Sequence, residues 1–337
     1  MLIVIFVLVV CTFAGLALAP YGSGKARSFA VSVPVPNGAQ NPLAGRLTSR
    51  YSTEVAELEN DGANLAGEQA ELPPLPSGAF TAPENEYRVY ARQRISNALM
   101  DVASLRRALV AGRRTAAMMA WESAWSDYLH LGAVYGLFSA LNRAIDGTPG
   151  GLPGGASDAR FTGLHRIEMG LWSGASLRPL IGYDTRLESD LDRLRGVVAH
   201  VEITPLEYAT RSHEIIEDAQ RDLLSGMDVP WSRQGVLGTA AGLAATEEVF
   251  HTLEPLLSGR ENTEGEVRSE LSMLGRVLDA IRHRHHGRYP SLSELGQYEH
   301  EQLNGYVAGA LSALQEMPGT LETELHQAIP KLPPEHG

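Results

Sequence analysis

From Tyr87 onward apolar residues return every three or four positions, and Ile95, Leu99, Val102, Leu105 and Leu109 mark the first such stripe. That is the rhythm of a helix packed along one side. The same rhythm predicts helices over 86–112, 114–145, 161–173, 184–201, 204–225, 234–258, 264–286 and 299–316, with a short one over 318–328. No stretch alternates Val, Ile and Thr between turn residues, so strands are not expected and the fold class is all-α. Gly226-Met227-Asp228-Val229-Pro230 and Gly259-Arg260-Glu261-Asn262 are helix-ending breaks. The first sets the expected boundary between a helix bundle over 85–228 and a second over 229–329, with 330–337 as a tail.

Before Tyr87 the pattern is different. Leu2 to Ala19 is a run of 18 residues without charge, just long enough to cross a hydrocarbon layer, so residues 1–20 read as a signal peptide or a membrane anchor. Pro20 after Ala17-Leu18-Ala19 disfavours cutting there, and Lys25 and Arg27 follow the run. Leu8-Val9-Val10-Cys11 is a poor lipoprotein box, because Val10 is bulkier than the small residue such a box needs. Residues 21–84 are rich in Gly, Pro, Ser, Ala and Asn and carry Pro34, Pro36, Pro73, Pro74 and Pro76. They are expected to form a disordered, low-complexity linker, interrupted at most by a short helix near Thr53 to Leu65.

Composition narrows the function. At 337 residues, 44% hydrophobic and 20% charged, the chain is long enough for two ordinary globular domains. Its 28 basic and 40 acidic residues give a net charge of −12, which repels phosphate backbones and argues against nucleic acid as a partner. Cations are the more natural ligand. The single cysteine, Cys11, excludes an intrachain disulfide.

The chemistry concentrates in Phe161-Thr162-Gly163-Leu164-His165-Arg166-Ile167-Glu168-Met169-Gly170-Leu171-Trp172, which follows a loop made almost wholly of helix breakers, residues 146–155. Thr162 is placed to cap the helix. His165 and Glu168, three apart, share a helix face and can reach one ion, and imidazole with carboxylate suits iron, zinc or manganese. Asp146 precedes Gly147, a pair that serves a turn as readily as a ligand role. In His213-Glu214-Ile215-Ile216-Glu217-Asp218, His213 and Glu217 share a face and complete the candidate set, with Glu214 and Asp218 assigned to the solvated side.

The segment Gly163-x-His165-x-x-Glu168, with Phe161-Thr162 before it and Leu171-Trp172 after it, resembles the signature of the imelysin family, and especially its EfeO-type branch of periplasmic iron-uptake proteins. The resemblance extends over residues 87–328 and is most specific from Tyr128 through Phe138 and Ala144-Ile145-Asp146-Gly147 to Trp172. It implies two packed antiparallel helix bundles. It also implies capture of iron, Fe(III) or Fe(II), outside the cytoplasmic membrane and delivery to a membrane permease of an EfeO/EfeU-type system that can include a haem peroxidase. Asp146 matches an aspartate of the family pattern, and Glu217 matches an acidic residue on the corresponding helix. Two acidic residues expected 17 and 14 positions before that aspartate are replaced by Leu129 and Gly132. His130, Glu122 and Asp127 are the nearby substitutes. Fewer carboxylates would shift preference from Fe(III) toward Zn(II).

Three readings follow. The first is an extracytoplasmic iron-binding component that is not an enzyme; the second is a degenerate scaffold of the cell envelope. The third, a metallopeptidase, lacks His-Glu-x-x-His or any hydrolase motif of similar specificity. Elsewhere, His251 and Glu254 repeat the His-x-x-Glu spacing without the flanking glycines and aromatics. Arg282-His283-Arg284-His285-His286 reads as a solvated helix end, and Trp121, Trp125, Tyr128, Tyr135 and Phe138 read as a core stripe.

Overall fold

A computed structural model describes residues 73–322 apart from 135, 136 and 261. The expected leader or anchor at 1–20, the linker as far as residue 72, Tyr135 of the aromatic stripe and the tail at 330–337 lie outside the described residues. The described residues belong to one compact unit. Among them there is no β-strand, and no helix is long and apolar enough to cross a membrane.

The helices are α1 (Thr81–Val110), α2 (Arg114–Leu129), α3 (Ser139–Asp146), α4 (Gly163–Trp172), α5 (Leu180–Val198), α6 (Pro205–Asp218), α7 (Gly235–Leu257), α8 (Thr263–Arg284), α9 (Gln297–Leu314) and the single turn α10 (Met317–Thr320). The all-α expectation therefore holds. On α1 the stripe Tyr87, Ala91, Ile95, Ala98, Val102, Leu105 and Leu109 is buried, as a helix packed on one side requires. One group of helices forms around α1, which packs on α2 and α5 while α4 bridges α2, α3 and α5. The second forms around the pairs α6–α7 and α8–α9. Between them runs α7, which touches α1 and α2 on one side and α6 and α8 on the other. Its burial nearly all round follows from that position, with Val236, Gly238, Ala241, Ala245, Val249 and Leu253 all inside.

Three sequence expectations are redrawn by packing. Residues 73–84 are not linker: Phe80 and Pro83 are buried, the Leu75 amide donates to the Glu322 carbonyl at 2.8 Å, and Arg260 binds the Pro73 carbonyl. The helix expected over 114–145 is split after Leu129. A distant side chain accepts the groups this break exposes, because the Tyr87 hydroxyl donates to the His130 carbonyl at 3.2 Å and accepts from the Ala133 amide at 3.0 Å. Finally, α6 packs on α7, α9 and α10, so residues 205–218, expected in the first bundle, join the second group of helices.

Candidate metal centre

Two helix ends meet to form the site. The last residue of α3 is Asp146, and α4 begins at Gly163 with its backbone almost touching the α3 terminus. Gly163 has φ +79°, and a Cβ there would overlap the carbonyl oxygens of Ala144 and Ile145, so only glycine permits this approach. Thr162 occupies the cap position as expected, but its hydroxyl turns back and donates to the Ala144 carbonyl at 3.1 Å instead of capping α4. The Trp121 indole fixes the other flank of α4 by donating to the Leu164 carbonyl at 2.8 Å. Trp121 and Trp125 are stacked and fully buried beneath it.

These constraints place His165 in the interior with no exposed surface. Its Nδ1 lies 2.9 Å from Glu168 Oε2, and the other Glu168 oxygen accepts the Ser232 amide at 2.7 Å. Its Nε2 faces Asp146 Oδ1 at 3.2 Å and Asp228 Oδ1 at 3.5 Å. The ring therefore has two unlike sides. The Glu168 side fixes its orientation and tautomer, and the other presents a nitrogen between two carboxylates.

The electrostatics follow from three acids around one imidazole. Burial alone would discharge His165, but the Asp228 and Asp146 charges, with the bonds to Asp146 and Glu168, outweigh it and raise its pKa well above the ordinary histidine range. Burial also pushes the Asp228 carboxyl upward, and the Asp146, Glu168 and Asp222 charges add to this while the His165 cation opposes it. Three carboxyl groups thus surround one imidazole in a buried group. A cation would relieve that imbalance.

Asp146 and Asp228 also line a cavity of about 170 Å³, walled by Leu129, Gly132, Glu214, Asp218, Asp222 and the arginines Arg211 and Arg221, among others. Leu129 and Gly132, the positions where the resemblance implies acidic residues, thus do face this cavity. Gly132 allows close packing there, since a Cβ would press on Ile215. Glu214, Asp218 and Asp222 come from α6 and the turn after it. Helix α6 starts from a capping box, Thr204 with Glu207, and Pro205 follows the cap.

Of the five residues expected from sequence, the structure brings three together: His165, Glu168 and Asp146. Glu168, however, engages Nδ1, so it stands behind the ring, away from the Nε2 side. His213 and Glu217 lie one position off the cavity face of α6; Glu217 pairs with Arg221 at 3.6 Å, and neither residue lines the cavity. Their neighbours Glu214 and Asp218, assigned to solvent from sequence, line it instead. The proposed substitutes look elsewhere too: Glu122 accepts from Gln234, Asp127 pairs with Arg94, and His130 Nδ1 bonds the Ser126 carbonyl. Asp228 was missed, hidden in the Gly-Met-Asp-Val-Pro break that reads as a mere boundary.

Among the described residues no group of three or more His, Cys, Asp or Glu side chains is arranged as a metal site. The His165 Nε2 separations of 3.2 and 3.5 Å nonetheless suit two donors on one ion, whose metal–ligand bonds of about 2.1 Å put neighbouring donors roughly 3–3.5 Å apart. The donor set, one nitrogen and two carboxylates, fits iron, manganese or zinc.

Fold and site together define an all-helical protein with a buried histidine behind the carboxylates of an acidic cavity. No family model matches the chain. Over most of its length it is similar to proteins named iron uptake system component EfeO. The one from Yersinia pseudotuberculosis serotype I (strain IP32953) is 22% identical over 291 residues, covering 85% of this chain and 77% of that protein. The one from Escherichia coli (strain K12) is 21% identical over 246 residues, covering 72% of this chain and 64% of that protein.

Proposed function

We propose that this protein captures iron as cargo at His165, Asp146 and Asp228 and passes it to another component of an uptake system, without catalysis. The observation that carries this reading is the His165 ring, held from behind by Glu168 and turning Nε2 toward two carboxylates of an acid-walled cavity. Similarity to proteins named as iron uptake components supports iron over other cations. In this reading the work is done outside the cytoplasmic membrane, with the chain exported or held there through residues 1–20, and a membrane permease receives the ion. A haem peroxidase would adjust its oxidation state. With Leu129 and Gly132 supplying no donor, Zn(II) is the natural competitor.

The test is metal loading of the stripped protein with Fe(III), Fe(II), Zn(II) and Cu(II), read by mass spectrometry for wild type, His165→Ala and Asp228→Asn. Retention of iron by wild type, abolished by His165→Ala and weakened by Asp228→Asn, is the expected result. Loading indifferent to His165 would overturn it. Leu129 and Gly132, as non-ligands facing the cavity, would then favour the second reading, a scaffold of the cell envelope that has lost the metal.

A further inference from the structure

The acids of the cavity wall already hold a cation. After α6 the chain widens into a π-turn, Ala219–Leu223, closed by the Leu224 amide on the Ala219 carbonyl at 3.0 Å. This turn puts Arg221 at the cavity, where its guanidinium binds Asp218, bonds Asp222 at 2.8 Å and lies 3.6 Å from Glu217. Arg211 is similarly engaged with Glu214.

Exposure falls stepwise along the carboxylates. The side chains of Asp218, Asp222 and Asp228 are 48%, 29% and 23% exposed, whereas Asp146 is 3% and His165 is 0% exposed. The outer acids and the buried site are also joined through the backbone, because the Asp222 carbonyl accepts the Met227 amide at 3.0 Å and the Asp228 amide at 3.2 Å. Arg221 therefore pairs with the residue whose main chain positions Asp228.

We propose that Arg221 is the resident counter-ion of the cavity and its gate: incoming metal displaces the guanidinium from Asp218 and Asp222 on its way to Asp228, Asp146 and His165, and its return favours release. This rests on the capture reading above. A guanidinium has no lone pair to offer a metal and keeps its charge at any physiological pH, so it competes with a cation without ligating it. The Arg221 side chain is more than half exposed, so it can swing into solvent at little cost. Capture and handover then share one device: the protein is electrostatically satisfied before loading, and the ion is held less tightly than bare carboxylates would hold it.

The experiment measures association rate and Kd for anaerobic Fe(II) and for Zn(II) on the whole protein, comparing wild type, Arg221→Gln, Arg221→Lys and His165→Ala, with thermal melts to confirm folding. Arg221→Gln is expected to bind about tenfold tighter or better and to associate faster, since a like charge leaves the cavity mouth. Arg221→Lys, which restores the charge, is expected to return toward wild type. A purely structural role would instead weaken binding in both variants. If wild type binds through His165 and Arg221→Gln binds no tighter, the gate is overturned and the capture reading stands. If neither wild type nor Arg221→Gln binds, both fall; if only Arg221→Gln binds, the gate is stronger than supposed.

Discussion

The chain carries the His-x-x-Glu spacing twice on helices, and the two copies differ in everything except that spacing. His165 and Glu168 approach to 2.9 Å with neither side chain exposed, whereas His251 and Glu254 stand 3.6 Å apart with the histidine 70% in solvent. Glu168 is bound by a backbone amide from another part of the chain, while Glu254 pairs with Arg268, an exposed residue that also reaches Glu264. Spacing decides that two side chains can meet. What the second imidazole nitrogen then faces is decided by the neighbours: two carboxylates in one case, an open surface in the other. The informative part of the Phe161–Trp172 motif is thus its frame: Gly163, which lets two helix ends touch, and the aromatic residues that fill the space around them.

Gly163→Ala attacks that frame directly and carries the largest expected effect. The alanine would have to hold φ near +79° and press its methyl into the carbonyls of Ala144 and Ile145, which cannot move without dismantling the end of α3. Strain and overlap together should cost about 3 kcal/mol. For a domain of this size that lowers Tm by roughly 6–12 °C. Asp146 should also be pushed away from His165, so metal retention should fall with stability. A thermal melt within 2 °C or so of wild type would mean the helix ends are not as close as described.

How much of this could be read from the sequence depends on how far away the deciding contact lies. The stripe on α1 was legible because a helix buries its own three-and-four pattern against whatever lies beside it. His165, Glu168 and Asp146 were legible as a motif lying on either side of the connection 147–162. The break after Leu129 was not, because what satisfies it is the hydroxyl of Tyr87, 43 residues before His130. Asp228 was not legible either, since Gly-Met-Asp-Val-Pro has the composition of any turn and its role arises only when the fold carries it to His165. The register of α6 failed for a different reason. Ile215 and Ile216 are adjacent and both buried, so the polar pairs 213/217 and 214/218 flank them equally well. Only the cavity distinguishes the two.

A second buried acid tests whether burial alone distinguishes the His165 region. Asp184 on α5 is fully buried, bonds Arg106 Nε at 2.6 Å through one oxygen and leaves the other without a hydrogen bond. Burial pushes its pKa up to about 6 against the lowering effect of Arg106. The folded state therefore holds this proton more tightly than the unfolded chain. The resulting stability is complete below about pH 4 and is lost as pH rises through about 6. In Asp184→Asn this contribution to the fall in denaturation midpoint between pH 4 and 6.5 should vanish, while metal retention is unchanged. An unaltered pH profile would show that Arg106 neutralises the acid fully. Altered metal retention would mean that the site reaches well beyond the groups facing His165.

The smallest expected effect belongs to the second copy of the motif, and it makes the comparison sharpest. His251→Ala removes an exposed imidazole whose nearest carboxylate is already held by Arg268. A surface pair of this kind contributes at most about 0.5 kcal/mol, so Tm should stay within roughly 2 °C of wild type and metal loading should not change. Equal loss of loading in His251→Ala and His165→Ala would break the comparison, because it would mean that spacing suffices for binding and that the buried frame is incidental. Loading lost only in His165→Ala ties capture to the enclosed imidazole, since the two variants delete the same chemical group from the same local sequence pattern and differ only in what surrounds it.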